Sequence, residues 1–195
     1  MNHAGFPKIP GTSVEIVKLP VRGRVRHAVL DFDGTLSYLR DGWQDFMVPM
    51  MVEVLEACPR HESREEIEKL VIDFVDHLTG KQTIYQMIRL AEEVEKRGGT
   101  AGQPLEYKLE YNRRIAAGVE ARIAALKSGA AKPDDFLVKG SRAFLERLTR
   151  SGVRCYLASG TDVELVREEA KLLDLERYLE GGIHGALANY KEFSK

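Results

Sequence analysis

The stretch His27-Ala-Val-Leu-Asp-Phe-Asp-Gly-Thr-Leu36 joins a short apolar run to two aspartates and a glycine. A nearly continuous apolar run that ends in a turn is typical of a buried strand in a parallel sheet. Asp31 and Asp33 therefore lie at the carboxyl end of the predicted strand, which is where open α/β sheets bind their ligands. The stretch predicts an α/β fold with a functional site at this point.

The two aspartates are suited to nucleophilic and acid–base chemistry. A carboxylate such as Asp31 can attack a phosphorus centre and form an acyl phosphate, provided that a cation offsets the repulsion between nucleophile and phosphate. Gly34 permits a sharp turn, so that Asp33 can reach the same opening and protonate a leaving oxygen. Taken alone, the same tetrapeptide is also an ordinary turn with solvated acids.

The segment 41–127 has apolar residues at helical spacing throughout, and no strand pattern interrupts it. Capping-box spacing at Ser63 with Glu66 and at Thr83 with Gln86 predicts helix starts near these positions. We therefore predict a bundle of about four helices, inserted directly after the first strand, and call residues 41–127 the helical segment.

Strand and helix patterns alternate again after the helical segment. We predict a helix over 141–150, an apolar strand over 153–158, and a helix that begins at a capping box formed by Thr161 and Glu164. A last short strand or turn is predicted over 181–186.

This order of elements predicts an α/β fold with a Rossmann-like parallel sheet core and an inserted all-α helical cap domain. The core comprises residues 1–40 and 128–195, and the cap comprises residues 41–127. A further short strand is predicted over 13–17, where polar and apolar residues alternate.

A second candidate constellation, Ser159-Gly160-Thr161, follows the second apolar strand. The hydroxyl group of Ser159 can donate to a phosphate oxygen, and Gly160 lets backbone amides approach that phosphate near the positive end of a helix. In isolation such a tripeptide is more often only a helix cap.

With both constellations in this order, the sequence resembles the haloacid-dehalogenase superfamily. Its first motif is an apolar strand followed by Asp-x-Asp-Gly-Thr, which residues 31–35 match at every defined position, and its second motif lies where Ser159 lies here. The resemblance implies that Asp31 is the nucleophile and Asp33 the acid and base. Dehalogenases lack the second acid, whereas phosphatases and phosphomutases keep it. A magnesium ion held by the Asp31 carboxylate and the Asp33 backbone carbonyl is also implied.

The third and fourth motifs of that superfamily are less clear. The third is a lysine that neutralises the phosphate, for which Lys191 and Lys195 are candidates; Lys195 is preferred because it follows an apolar anchor and a serine. The fourth is an acidic metal ligand after a further strand, and it has no counterpart here. We therefore expect a shortened form of a longer phosphatase, with weak magnesium binding and little activity. Its first strand would lie at a sheet edge, which residues 13–17 or a second copy in a homo-oligomer could cover.

The helical segment resembles the cap that closes over the site in one branch of the superfamily and selects the substrate. We expect it to act as a lid whose motion gates access. Polar side chains near the helix break at Gly80 and in the linker after the first motif are candidates for substrate contacts, although most such side chains are only solvated. These candidates are Lys81, Gln82, Tyr85, Tyr38 and Arg40.

Composition narrows the range of partners. A net charge of −1 indicates neither nucleic acid nor an anionic membrane surface as a partner. No stretch approaches the ~20 apolar residues of a membrane span, and the amino terminus has no export signal. Cys58 and Cys155 fit reduced core thiols, and therefore a cytoplasmic location, better than a disulfide framework.

These features together predict a magnesium-dependent phosphohydrolase that acts on a small phosphorylated metabolite through an aspartyl-phosphate. Two alternatives are a phosphomutase of the same superfamily and a non-catalytic binding module that lacks the metal-site acid.

Overall fold

A computed structural model of the protein describes residues 7–18 and 23–187. Three strands, β1 His27–Leu30, β2 Arg154–Asp162 and β3 Ile183–Ala186, form a parallel sheet in the order β1-β2-β3. The helices are α1 Gln44–Glu56, α2 Arg64–Leu78, α3 Thr83–Lys96, α4 Pro104–Ser128, α5 Ser141–Arg150 and α6 Val163–Leu172, with 3-10 turns at Pro133–Phe136 and Glu176–Tyr178. The predicted α/β class is confirmed.

The sheet buries one face against α5 and α6. Alternate strand residues point to this face, where Cys155 and Leu157 of β2 are fully buried with Leu145 of α5 and Val166 of α6. The other face is more open, and Val29 in β1 is 72% exposed. Because parallel strands pair in register, with Leu30 opposite Leu157, the carboxyl ends of β1 and β2 lie side by side.

The helices α1 to α4 connect β1 to α5 and have an apolar core of their own. Met51, Leu55, Ile67 and Leu90 are fully buried there, each contributing about 1.5–3 kcal/mol through burial. This cluster is separate from the cluster beneath the sheet. The helical segment therefore buries its apolar stripes on itself and leaves polar residues to meet the sheet.

The helix starts agree only in part with the predicted capping boxes. Ser63 caps α2 in a complete capping box with Glu66, as predicted. The boxes predicted at Thr83 and Thr161 are wrong, because the cap positions of α3 and α6 are the preceding Gln82 and the following Asp162, and neither makes a side-chain cap bond. Both threonine hydroxyl groups bond to distant residues instead.

The strand predicted over 13–17 is also not formed. The segment turns back locally, since Ile9 donates its amide to the Val14 carbonyl at 3.0 Å, and only a single bridge joins Glu15 to Lys8. It does not pair with β1. Within the part of the chain that the structure describes, the outer edge of β1 has no strand beside it. None of the helices in this part is long and apolar enough to cross a membrane.

Candidate active site

The turn after β1 holds Asp31 and Asp33 on either side of a buried anchor, Phe32. The carbonyl of Phe32 accepts the amide of Leu36 at 2.9 Å and that of Ser37 at 3.0 Å, so the chain closes into a tight loop. Gly34 adopts a left-handed conformation with φ of 72°, which other residues rarely adopt. The loop therefore fixes the backbone that carries both aspartates.

The end of β2 provides the second half of the site. Its pairing with β3 shifts register between Ala158 and Asp162, which takes Ser159, Gly160 and Thr161 out of regular pairing. The Thr161 amide donates to Ser159 Oγ at 3.1 Å, which leaves the hydroxyl hydrogen of Ser159 available to a ligand. The Thr161 hydroxyl donates to Asp33 Oδ2 at 3.1 Å and ties the ends of β1 and β2 together.

Asp33 has an unusual electrostatic environment. Its Oδ1 is buried and has no hydrogen-bond partner among residues 7–18 and 23–187. Burial raises the pKa of Asp33 to about 6, against the opposing effect of the Arg40 guanidinium. A carboxyl group with a pKa near neutrality can give and take a proton at working pH, which suits a general acid and base.

Arg40 is held by a buried ion pair. Its Nε and Nη2 donate to Glu169 Oε1 at 2.8 and 2.6 Å, and both side chains are buried. Glu169 lies on α6, so this pair fastens the linker after the first motif to the sheet core. The pair also neutralises most of the charge that Arg40 would otherwise present to the cavity.

The helical segment contacts the sheet core directly above Gly160. A Cβ atom at this position would lie 2.5 Å from the carbonyl oxygen of Lys81, so only glycine fits. The Thr83 hydroxyl donates to the Gly160 carbonyl at 3.4 Å. Beside this contact, Lys108 and Asn112 of α4 both bond to the carboxylate of Asp162, the amide at 2.9 Å.

These contacts enclose a cavity of about 100 Å³ between the sheet and the helical segment. Six of the residues predicted for catalysis, phosphate binding or substrate contact line it: Asp31, Asp33, Arg40, Lys81, Ser159 and Gly160. The rest of the lining consists of Thr161 from the core and Trp43, Met47, Thr79, Gly80, Thr83, Gln86 and Tyr111 from the helical segment.

The other candidate residues lie elsewhere. Tyr85 does not line the cavity, because on α3 it points away from the face shared by Thr83 and Gln86 and packs, half-buried, against the helical core. Tyr38 is 45% exposed outside the lining. Gln82 also lies outside the lining, and its buried Oε1 has no hydrogen-bond partner among the described residues. The two candidates for the phosphate-binding lysine, Lys191 and Lys195, lie outside the described residues.

Sequence reasoning missed Gln86 and Tyr111 as members of the site. A usable signal exists in α4, where Lys108, Tyr111 and Ile115 recur on the buried stripe of the helix. A lysine on such a stripe indicates that this part of the helix faces a polar partner rather than an apolar core. Tyr111 lies one turn further along the same face.

The site has oxygen donors that suit magnesium. Asp31 offers a carboxylate, and the Asp33 backbone carbonyl accepts no backbone hydrogen bond within the described ranges. Magnesium prefers oxygen ligands and usually keeps several waters, with one or two carboxylates and the substrate phosphate completing its shell. The donors present fit in type, although no group of three or more His, Cys, Asp or Glu residues in these ranges is arranged around a common point.

Comparisons with known proteins agree with this fold. No family model and no curated protein matches the sequence. Among solved structures, one described as a predicted phosphoglycolate phosphatase from Haemophilus somnus 129PT aligns with a TM-score of 0.50 and 15% identity, over 83% of this chain and 62% of that chain. CbbY from Rhodobacter sphaeroides, solved with phosphate, aligns with a TM-score of 0.47 and 15% identity, over 85% of this chain and 66% of that chain.

The first of these alignments confirms the α/β fold that the sequence predicted. At this level of identity the likeness concerns the fold alone. The chain spans less than two thirds of the length of that structure. The likeness therefore does not extend to activity or substrate.

Proposed function

We propose that this protein is a magnesium-dependent phosphohydrolase that cleaves a small phosphomonoester through an aspartyl-phosphate on Asp31. One observation carries the proposal: the buried carboxyl group of Asp33, fixed by Thr161, shares a single small cavity with Asp31 and Ser159. Such a constellation provides a nucleophile, an acid and a phosphate-binding hydroxyl group within reach of one ligand.

In the first step, a carboxylate oxygen of Asp31 attacks the phosphorus atom and the bond from phosphorus to the leaving oxygen breaks. The electron pair of that bond stays on the leaving oxygen, which takes the proton of Asp33 and departs as an alcohol. The raised pKa of Asp33 keeps part of the population protonated near neutral pH, as this step requires.

In the second step, water attacks the phosphorus atom of the aspartyl-phosphate. Asp33, now ionised, accepts a proton from this water, and the bond from phosphorus to the Asp31 oxygen breaks to release inorganic phosphate. The hydroxyl group of Ser159 donates to a phosphate oxygen throughout and keeps the phosphoryl group in line.

The Asp31 carboxylate and the Asp33 carbonyl would hold magnesium, which supplies positive charge beside the phosphate oxygens. Asp31 is largely solvent-exposed, and among the described residues its carboxylate accepts a single long bond, at Oδ2 from the Thr35 hydroxyl at 3.4 Å. Its oxygens are therefore accessible to both ligands.

A screen of phosphomonoesters with and without magnesium tests the proposal, using the wild type and three Asp→Asn variants. Asp31→Asn should abolish turnover, and Asp33→Asn should lower it by at least ~10² because proton transfer is lost. Asp41→Asn changes an exposed aspartate in the same linker and should retain full activity. Because little activity is expected of a chain without the fourth motif, the screen uses a high protein concentration and long incubation. A wild type that still releases no more phosphate than Asp31→Asn from any ester would refute the proposal, and transfer of the phosphoryl group to a sugar phosphate would indicate a phosphomutase.

A further inference from the structure

The wall that the helical segment adds to the cavity combines the apolar side chains of Trp43 and Met47 with polar ones, and Lys81 is the only charged residue among the described residues of this wall. Two of its side chains, Gln86 on α3 and Tyr111 on α4, are 4% and 6% exposed, and both belong to the cavity lining. Polar groups buried to this extent are normally hydrogen-bonded within the protein. The hydrogen bonds that these two side chains make within the protein therefore show whether they have a structural role.

Neither side chain is fully bonded. The Tyr111 hydroxyl group has no hydrogen-bond partner in the described part of the chain, and Gln86 makes one long bond, from Nε2 to the Val75 carbonyl at 3.4 Å. The Oε1 atom of Gln86 is left without a donor there. Burial also raises the pKa of Tyr111 far above its usual value, so the phenol stays protonated and can donate. The wall thus presents one donor and one acceptor to a ligand.

The buried cations around this wall are already paired. Arg40 is bound by Glu169, and Lys108 is bound by Asp162. Among the described residues, Lys81 is the remaining cation in the lining, and its side chain is exposed. An additional acidic group on a substrate would meet the carboxylates of the site, and no described residue offers a free buried cation to balance it.

We propose that Tyr111 and Gln86 determine specificity by hydrogen-bonding a hydroxyl group of the leaving alcohol, so that the preferred substrates are phosphomonoesters of small uncharged polyols. The inference rests on the proposed function and adds the substrate class. A site built to bond a hydroxyl group discriminates strongly against an analogue that lacks it, since the buried polar groups are then left unpaired.

Three esters of matched size test the inference through binding. Glycerol 3-phosphate carries two hydroxyl groups, propyl phosphate carries none, and 3-phosphoglycerate has a carboxylate in place of one hydroxymethyl group. Calorimetric titration of the Asp31→Asn protein with magnesium measures affinity without turnover. We expect glycerol 3-phosphate to bind at least ~10-fold more tightly than either of the others, which is about 1.4 kcal/mol for two new hydrogen bonds.

Variants assign this preference to the two side chains. In the same background, Tyr111→Phe and Gln86→Leu should each reduce the preference for glycerol 3-phosphate over propyl phosphate by about three- to tenfold, with propyl phosphate affinity unchanged. Tyr85→Phe removes a hydroxyl group from the helical segment outside the lining and should change neither affinity. Circular dichroism would show that each variant is folded.

Several outcomes would overturn the inference. These are equal or tighter binding of propyl phosphate or 3-phosphoglycerate, no measurable binding of any of the three esters, or an unchanged preference in both folded variants. Hydrolysis of p-nitrophenyl phosphate by the wild type separates the two claims, because it tests the chemistry at Asp31 without the hydroxyl contacts. If the wild type hydrolyses p-nitrophenyl phosphate, the proposed function stands even where the proposed substrate class fails.

Discussion

The hydroxyl group of Thr161 donates a hydrogen bond of 3.1 Å to Asp33 Oδ2, and so links the end of β2 to the turn after β1. This bond fixes one carboxyl oxygen and leaves the other, Oδ1, buried and without a partner in the described ranges. The two oxygens of Asp33 are therefore not equivalent: Oδ2 is held by Thr161, whereas Oδ1 is buried without a hydrogen bond, which disfavours the ionised carboxylate.

The burial of Asp33 predicts a pH-dependent gain in stability for Asp33→Asn. Folding raises the pKa of Asp33 from 3.8 to about 6. The protonated carboxyl group therefore contributes fully to folding stability below pH 3.8, and this contribution is lost as the pH rises through about 6. The uncharged asparagine avoids this loss. After allowance for partial exposure, the variant should be more stable by roughly 1–2 kcal/mol at about pH 8 and show no such gain near pH 4.

Urea unfolding of both proteins in the presence of a chelator measures this difference without metal. A difference that stays the same across the pH range would contradict the assignment of a raised pKa to Asp33.

The buried ion pair of Arg40 predicts that Glu169→Gln is strongly destabilising. The change leaves the Arg40 guanidinium buried without its counter-charge, which typically costs about 3–5 kcal/mol. Glu168→Gln on the same helix is the matched control. Its partner Lys127 is exposed, so the free energy of unfolding should fall by roughly 0–1 kcal/mol. Chemical unfolding compares the two, and similar losses would show that the buried pair has no special role.

The close contact at Gly160 predicts that Gly160→Ala impairs catalysis. The added methyl group would collide with the Lys81 carbonyl and displace the helical segment from the site. Since a displacement of about 1 Å can cost ~10²-fold in rate, kcat/KM should fall by about that factor. Gly23→Ala adds the same group where no described residue lies within 4 Å, and it should be neutral. Wild-type kcat/KM in Gly160→Ala would show that this contact does not position the site.

The parts of the fold that could be predicted from the sequence are those set by local patterns. The apolar run before Asp31 gave β1 and the position of both aspartates, and the box at Ser63 gave the start of α2. These features depend on neighbours within a few residues, so periodicity and capping chemistry are enough to find them.

The threonines could not be assigned in this way. Thr83 and Thr161 have the spacing of helix caps, but their hydroxyl groups bond to Gly160 and Asp33, which lie 77 and 128 positions away in the chain. A capping-box pattern describes a local partner only. The tertiary partner is visible only once the sheet brings β1 and β2 together.

The sequence did not reveal the buried polar residues of the cavity wall, Gln86 and Tyr111, for a similar reason. Tyr111 occupies a position of the helical stripe that periodicity assigns to the apolar core, and the spacing from Thr83 predicts a role for Gln86 in a helix cap. The sequence separates polar from apolar faces, but it does not show which buried stripe faces a cavity.

The proposed mechanism requires that Asp31 becomes phosphorylated, and direct trapping of that intermediate tests it. The protein is mixed with magnesium and the ester that it hydrolyses best, quenched, and reduced with borohydride, which converts an aspartyl-phosphate to homoserine. Peptide mass spectrometry should then find homoserine at Asp31 alone, and the Asp31→Asn protein should show none. Phosphate release by the wild type with an unmodified Asp31, or with the modification at another residue, would contradict the claim.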